Sequence, residues 1–447
     1  MAGRALAVAE PLVLLAAAPL LLFPTYRPAW TVVALALLAA VWVLRAAFLR
    51  EYWPASPANL ALLVFCLAIP LAVWASAFPE LTLPKLTGLI LGLASLRVLG
   101  FAVRSRRSLA IGLAVFGIVA LGVWAVGLLG MRLAPLQGLT ARLPQTLVAL
   151  PGTPGEGVNP NQLAGALVLA LPVMLGCAAG CAREGRRAAV LLLAAVMLVM
   201  LATVIFTRSR AGWIGLSVAL IGWAFLAAWL HGSRRLRIAL GVAAGLSAVA
   251  VIAAAPMVGP SLVARVAETG QGRPGMDAVM QQLSLDARVE IWSRAVYALQ
   301  DFPFTGVGLG TFRRVVNLLY PLFLVPPDSD IAHAHNLLLQ VGVDLGLGGL
   351  VGYVALVLAA ATTAWRAARS SDRFAGSAAL GLLAGMIGLH VYGLADTLAL
   401  GSKPGLLFWL ALGLMVALPQ VDAGLTRAGE RPDRRSGTVA AQSNDAV

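Results

Sequence analysis

Apolar runs of about 20 residues recur along most of the chain, separated by short turns that carry arginine. A helix needs about 20 apolar residues to cross a bilayer. By that measure about twelve crossings are predicted, at 6–24, 29–48, 58–78, 84–103, 108–130, 161–181, 188–206, 211–230, 236–256, 336–364, 376–397 and 404–420. Two longer connections interrupt the pattern, 131–160 and 257–335. The predicted fold is therefore an all-α polytopic membrane protein with a large loop between helices 9 and 10. Its parts are helices 1–9 (1–256), the loop with its short helices (257–335), helices 10–12 (336–420) and a polar tail (421–447) expected to be disordered.

Composition agrees, because 60% hydrophobic and 12% charged residues cannot cover a water-soluble globule of 447 residues. A net charge of +14 would suggest a nucleic-acid partner in a soluble protein, but here the arginines punctuate membrane helices, so no nucleic acid is expected. Cys66, Cys177 and Cys181 lie in or beside apolar runs and read as packing residues. The first apolar run reads as a retained helix rather than a cleaved signal, since only Arg4 precedes it and a second crossing follows at once.

Cytoplasmic turns collect Lys and Arg. With the N-terminus inside, the larger share of the basic residues falls in the cytoplasm, among them Arg104, Arg106, Arg107, Arg186, Arg187 and Arg366. Both long connections and the polar tail are then assigned, the connections to the exported (periplasmic) side and the tail to the cytoplasm. The exported turn F-T-R-S-R-A-G-W nevertheless holds Arg208 and Arg210. Two guanidinium groups there either face lipid headgroups or bind an anion such as phosphate, which the planar guanidinium grips with two parallel hydrogen bonds.

The stretch E-G-V-N-P-N-Q-L puts Asn159 and Asn161 around Pro160, a helix-start signal with natural caps. In the large loop, Val289, Ile291, Trp292, Ala295, Val296 and Leu299 mark a helical stripe that Pro303 ends. Arg288, in its first turn, calls for an anionic partner, either Asp286 or Glu290 nearby or a ligand phosphate; Arg294 reads as a solvated face. Gly306, Gly308 and Gly310 do not complete a dinucleotide fingerprint, because Thr311 takes the next place and no strand precedes them.

His333 and His335 are two of only four histidines. Histidine is the side chain with an ordinary pKa near neutrality, about 6.5, and so the first candidate for a proton acceptor. Two other readings stay open: a metal site completed by Asp328 and Asp330, and capping of the tenth crossing by His335 and Asn336.

With these stretches in hand, the chain resembles the O-antigen ligase and polymerase superfamily, which also holds bacterial protein O-oligosaccharyltransferases. The resemblance rests on F-T-R-S-R-A-G-W, R-V-E-I-W-S-R-A, D-F-P-F-T-G-V-G-L-G-T-F and H-A-H-N-L-L-L-Q-V-G-V-D-L-G-L-G-G. Most specific is a histidine and amide residue followed after nine residues by G-x-x-G: His335, Asn336, Gly346 and Gly349. The resemblance implies a GT-C-like membrane fold, an active site facing the periplasm at the bacterial inner membrane, and no cofactor or required metal. It implies a glycan donor on undecaprenyl diphosphate and, for the ligases it resembles most, lipid A core as acceptor, with His335 as base and Arg288 and Arg210 on the diphosphate. Arg208, His333, Asn336, Asn161 and Arg294 are expected to support substrate binding.

Such an assignment is chemically coherent. Outside the cytoplasm no ATP is available, so transfer needs a pre-activated donor that membrane lipids can deliver. A polymerase or a protein transferase shares that donor and differs in acceptor. A transporter is the alternative of another class; it calls for internal repeats and charges at the membrane midplane, and Asp344 and Arg97 are the chief intramembrane charges recognised in the sequence.

Overall fold

The computed structural model describes residues 2–130, 159–242, 285–325 and 330–429. Its helices are α1 (Ala2–Leu22), α2 (Pro28–Leu49), α3 (Asn59–Trp74), α4 (Pro79–Ala102), α5 (Arg106–Gly130), α6 (Pro160–Arg183), α7 (Arg187–Phe206), α8 (Arg210–His231), α9 (Leu285–Asp301), α10 (Phe312–Leu319), α11 (Leu337–Ala367), α12 (Arg373–Tyr392) and α13 (Leu406–Gly429). Among the described residues the protein is all-helical.

Nine of these helices are long and apolar enough to cross a membrane, and Asn59–Trp74 and Leu406–Val421 are shorter apolar helices. Eleven of the predicted crossings thus have a described helix. The ninth begins as helix at 234–242, and its remainder, like the connection at 131–158, lies outside the described residues. Of the tail predicted from 421, the first part continues α13 as helix to Gly429.

α6 and α12 form the buried centre of the bundle, whereas α1, α2, α5 and α7 keep most of their apolar surface exposed, as lipid-facing helices do. Proline opens α2, α4 and α6, where its missing N–H costs nothing.

The two ends of the bundle differ in chemistry. At one end, Arg106 pairs with Glu184 and lies 3.5 Å from Asp372, and Arg183 reaches His231 and Ser377 at 3.2 Å each. Toward the same end Glu10 of α1 receives Arg45 of α2 and Arg97 of α4, with Trp42 and Phe101 against the guanidinium groups. Arg97 is therefore a neutralised helix-to-helix tie rather than a free midplane charge.

At the other end the segment 285–325 packs as a small unit with its own core, formed by Ala287, Ile291, Ala295 and Ala298 of α9 with Phe312, Val315 and Val316 of α10. The buried stripe of α9 is rotated from the predicted one. Ile291 and Ala295 are inside, but Val289 and Val296 face out; Ala287, Ile291, Ala295 and Ala298, spaced three and four residues apart, form the face packed into the unit's core.

This unit is keyed into α11 at a break. Gly346 has φ 71° and ψ −178°, a conformation open essentially to glycine alone. There the helix gives up its own hydrogen bond: the Leu347 N–H donates to the Pro303 carbonyl at 2.7 Å, and the Val343 carbonyl accepts from the Val307 N–H at 2.8 Å. Gly306, also left-handed with φ 63°, comes so close that an added Cβ would lie 2.3 Å from the Val343 oxygen. Leu347 to Ala367, about 31 Å at 1.5 Å per residue, then matches a hydrocarbon core of about 30 Å. The predicted tenth crossing at 336–364 is thus two helical segments, and only the second has the span of a membrane.

Candidate functional site

The site gathers where three stretches meet: the start of α9, the H-A-H-N segment before α11, and the G-L-A-D-T segment after α12. Asn336 caps α11, its Oδ1 accepting from the Leu339 N–H at 3.0 Å. Its Nδ2 donates to the Leu394 carbonyl at 3.1 Å, and the Leu337 N–H donates to the Gly393 carbonyl at 2.7 Å. These bonds clamp the two segments so that His335 faces Asp396. From α9, the Trp292 indole N–H donates to the His335 carbonyl at 3.1 Å, which holds His335 in a left-handed backbone conformation with φ 48°.

Asp396 is the hub. Its Oδ1 lies 3.6 Å from His335 Nδ1 and 3.8 Å from His333 Nε2, and its Oδ2 lies 3.7 Å from an Arg288 Nη2. Arg288 also donates to the Ala395 carbonyl at 2.6 Å. Its anionic partner is thus Asp396, not Asp286 or Glu290. Glu290 is committed elsewhere, accepting from the Phe323 and Leu324 N–H groups at 2.7 and 2.9 Å.

The protonation pattern follows. The His335 backbone N–H donates to His333 Nδ1 at 3.3 Å, so in the neutral ring the His333 proton sits on Nε2, toward Asp396. Burial, with His335 beside it, pushes the His333 pKa down to about 3. Burial alone would raise the Asp396 carboxyl, but His335, His333 and Arg288 outweigh it and hold it below its ordinary value. Asp396 is therefore held as a carboxylate, and His335 faces it through Nδ1 at 3.6 Å.

Several polar atoms in this cluster, Arg288 Nε, His335 Nδ1, Asp396 Oδ2 and Thr397 Oγ1, are buried without a hydrogen-bond partner among the described residues.

The other predicted residues divide. Asn161 lies at the same end, its carbonyl accepting from the Tyr392 hydroxyl at 2.8 Å, while Asn159 rather than Asn161 caps α6. Ser209 caps α8, whose Gly215 packs against the Tyr392 backbone, so exposed Arg208 and Arg210 stand at the site's end of the bundle. Arg294 belongs to the loop's framework, donating to the Pro321 carbonyl at 2.9 Å, lying 3.5 Å from Glu290 and stacking over Tyr297 and Phe323.

The metal reading changes its ligands. Asp328 lies outside the described residues, and Asp330 pairs with Arg313. A set that could hold an ion is instead His333, His335 and Asp396, whose ligand atoms lie within 4.8 Å of one another. The Arg288 guanidinium already supplies a positive charge to that carboxylate, which makes the cluster a poorer cation site than its ligand count suggests.

Sequence reasoning missed Asp396. The eleventh crossing, drawn as 376–397, swallowed it into a membrane helix, whereas α12 ends at Tyr392. A signal was available: an acidic residue in an apolar run of a chain with only 19 Asp and Glu is costly unless it works.

Fold and site together define a multi-pass membrane protein with a histidine, carboxylate and guanidinium cluster at one end of its bundle. Residues 195–354 match the family model described as O-Antigen ligase, and this match supports a likeness to the O-antigen ligase and polymerase superfamily. That stretch contains Arg208, Arg210, Arg288, His333, His335 and Asn336, and stops short of Asp396. No curated protein matches the chain. The family indicates a glycosyltransferase-like ligase or polymerase activity on lipid-linked glycans.

Proposed function

We propose that the protein is an O-antigen ligase, transferring a glycan from undecaprenyl diphosphate to a sugar hydroxyl of lipid A core. The observation that carries this reading is the meeting of His335, Asp396 and Arg288 at one end of the bundle, opposite the end rich in arginine turns. By the preference of cytoplasmic turns for arginine, the site faces the periplasm and the protein lies in the inner membrane of a bacterium with a GT-C-like arrangement.

The acceptor hydroxyl gives its proton to His335 Nε2 as its oxygen bonds to the anomeric carbon. The bond from that carbon to the diphosphate oxygen breaks, undecaprenyl diphosphate departs, and the anomeric centre inverts. Charge grows on the leaving diphosphate, and the guanidinium groups of Arg288 and Arg210 stabilise it; removal of one such fixed donor costs about 3–4 kcal/mol in comparable sites. Asp396 keeps the imidazole turned the right way and compensates the cation it becomes. His333, buried and neutral, packs edge-on at 4.4 Å between ring centroids and leaves the proton-accepting role to its neighbour.

The test is product identification. Purified protein is incubated with a lipid-linked glycan and, separately, with lipid A core, a serine-containing peptide or no added acceptor. Glycan on lipid A core supports the ligase. Longer lipid-linked glycan makes the protein a polymerase, and glycosylated peptide a protein transferase. An intact donor in every arm contradicts transfer altogether. Excess chelator should leave the rate unchanged; loss that a divalent ion restores would assign His333, His335 and Asp396 to a metal.

A further inference from the structure

Beneath the histidine segment runs a second chain of polar contacts that the proposed reaction does not use. The Ala334 N–H, between the two histidines, donates to Gln340 Oε1 at 2.7 Å. The Gln340 amide in turn faces the Asp344 carboxylate one turn on, at i, i+4 spacing, and interacts with it. Asp344 Oδ1 accepts from the Gly310 N–H at 3.0 Å, in the glycine loop that leads into α10. Gln340 is 4% and Asp344 8% exposed. Both line a small cavity of about 20 Å³ together with Lys85 of α4, and apolar Phe65, Leu89 and Leu309 close it.

An acidic side chain buried in the first, short segment of α11 is expensive unless it is fully used. Its uses here all point one way. Asp344 takes hold of the glycine loop directly and of the histidine segment through Gln340, while Lys85 across the cavity supplies the opposite charge. Gly346, two residues on, is where the loop's Pro303 and Val307 replace the helix's own hydrogen bonds. The short segment from Leu337 to the break is thus a post fixed to the loop at its foot and to the histidines at its head.

We propose that Asp344 and Gln340 are positioning residues, which set His333 and His335 against Asp396 by bracing the H-A-H segment on the 306–310 loop. The proposal rests on the reading of His335 as the base, so its test has one arm that needs no catalysis. Full-length protein in detergent is treated with diethyl pyrocarbonate, and labelling of each histidine is read by mass spectrometry. Wild type should label exposed His231 and protect His333, which is 3% exposed, along with His390 within α12.

Asp344→Ala should expose His333 to labelling while His390 stays protected, and Asp344→Asn, which keeps an acceptor for Gly310, should restore protection. Gln340→Ala, which removes the link to Ala334 but leaves Asp344 on the Gly310 N–H, should give the same exposure. In the transfer assay Asp344→Ala should lose about 10²-fold in kcat, the cost of a misplacement near 1 Å, with the donor KM little changed. Protected His333 in both alanine variants overturns the proposal, and so does labelling of His390 alongside it, which would make Asp344 a general stabiliser of the bundle. If wild type transfers no glycan, the functional reading fails while the labelling pattern still decides this one.

Discussion

At the scale of single residues, Asp396 is the carboxylate that both His333 and His335 face, at 3.8 and 3.6 Å. Without Asp396, His335 would present either ring nitrogen to an acceptor; with it, Nδ1 is turned inward. Asp396→Asn keeps the size and removes the charge, so it should lower kcat by about 10²- to 10⁴-fold, as when an orienting carboxylate is neutralised beside a general base. Single-turnover rates with saturating donor measure this directly. The histidines and Arg288 were legible in the sequence because those residue types are scarce or ill-suited to a membrane helix. Asp396 was not, since its role depends on where α12 stops, and apolar Leu394, Leu398 and Leu400 around it disguise the helix end.

The same residues give the site a pH dependence of stability. His333 is neutral in the folded protein down to about pH 3, whereas an unfolded histidine takes up a proton below about 6.5. Between those values the unfolded state binds the extra proton, so stability falls as pH falls, by about 1.4 kcal/mol per pH unit for one proton. Asp396, whose pKa is depressed, adds to the loss only at the acid end, below the ordinary carboxylate value. Thermal unfolding between pH 7 and 4 should show a falling midpoint, and His333→Gln should flatten the slope. An unchanged slope in that variant would mean that other groups carry the acid sensitivity.

At the scale of elements, α11 shows what hydrophobic periodicity reads well and what it does not. The apolar pattern gives its presence but draws one crossing at 336–364 where the membrane-length segment is 347–367. The break is invisible to periodicity because its cause is non-local: the carbonyls of Pro303 and Phe304 occupy the space where a side chain at 346 would go. Gly346→Ala puts a Cβ 2.5 Å from the Phe304 oxygen and also forces an alanine into a glycine-only backbone region. A loss of roughly 1–3 kcal/mol from the backbone alone is expected, read as a lowered melting temperature with faster proteolysis of the 285–325 unit. Gly348→Ala, with open space at its Cβ, serves as the control and should be neutral.

For the whole molecule, the two ends carry the account. Most turns rich in arginine lie at the end opposite the site, which the alternation of apolar runs and basic turns allowed to be read without coordinates. Tying the first helices to that bundle falls to buried charge: Glu10 serves both Arg45 and Arg97. Glu10→Gln would leave Arg97 without a carboxylate and Arg45 with Glu51 alone, and breaking a buried pair in this way costs about 3–5 kcal/mol. Its melting temperature should drop clearly, whereas Glu51→Gln, at a half-exposed partner of Arg45, should change it little. Sidedness is checked by single cysteines in a background lacking Cys66, Cys177 and Cys181: Thr305→Cys should label from the periplasm and Ser371→Cys from the cytoplasm.

In the proposed reaction an imidazole and guanidinium groups act together on a lipid diphosphate glycan. Its most direct test is the initial rate of glycan release from purified lipid-linked donor by wild type, Arg210→Ala, Arg288→Ala and His335→Ala at equal folded concentration. Loss of about 10²-fold or more in each variant, with wild type active in excess chelator, is the predicted result. Wild-type rates in the Arg288 and His335 variants would contradict it.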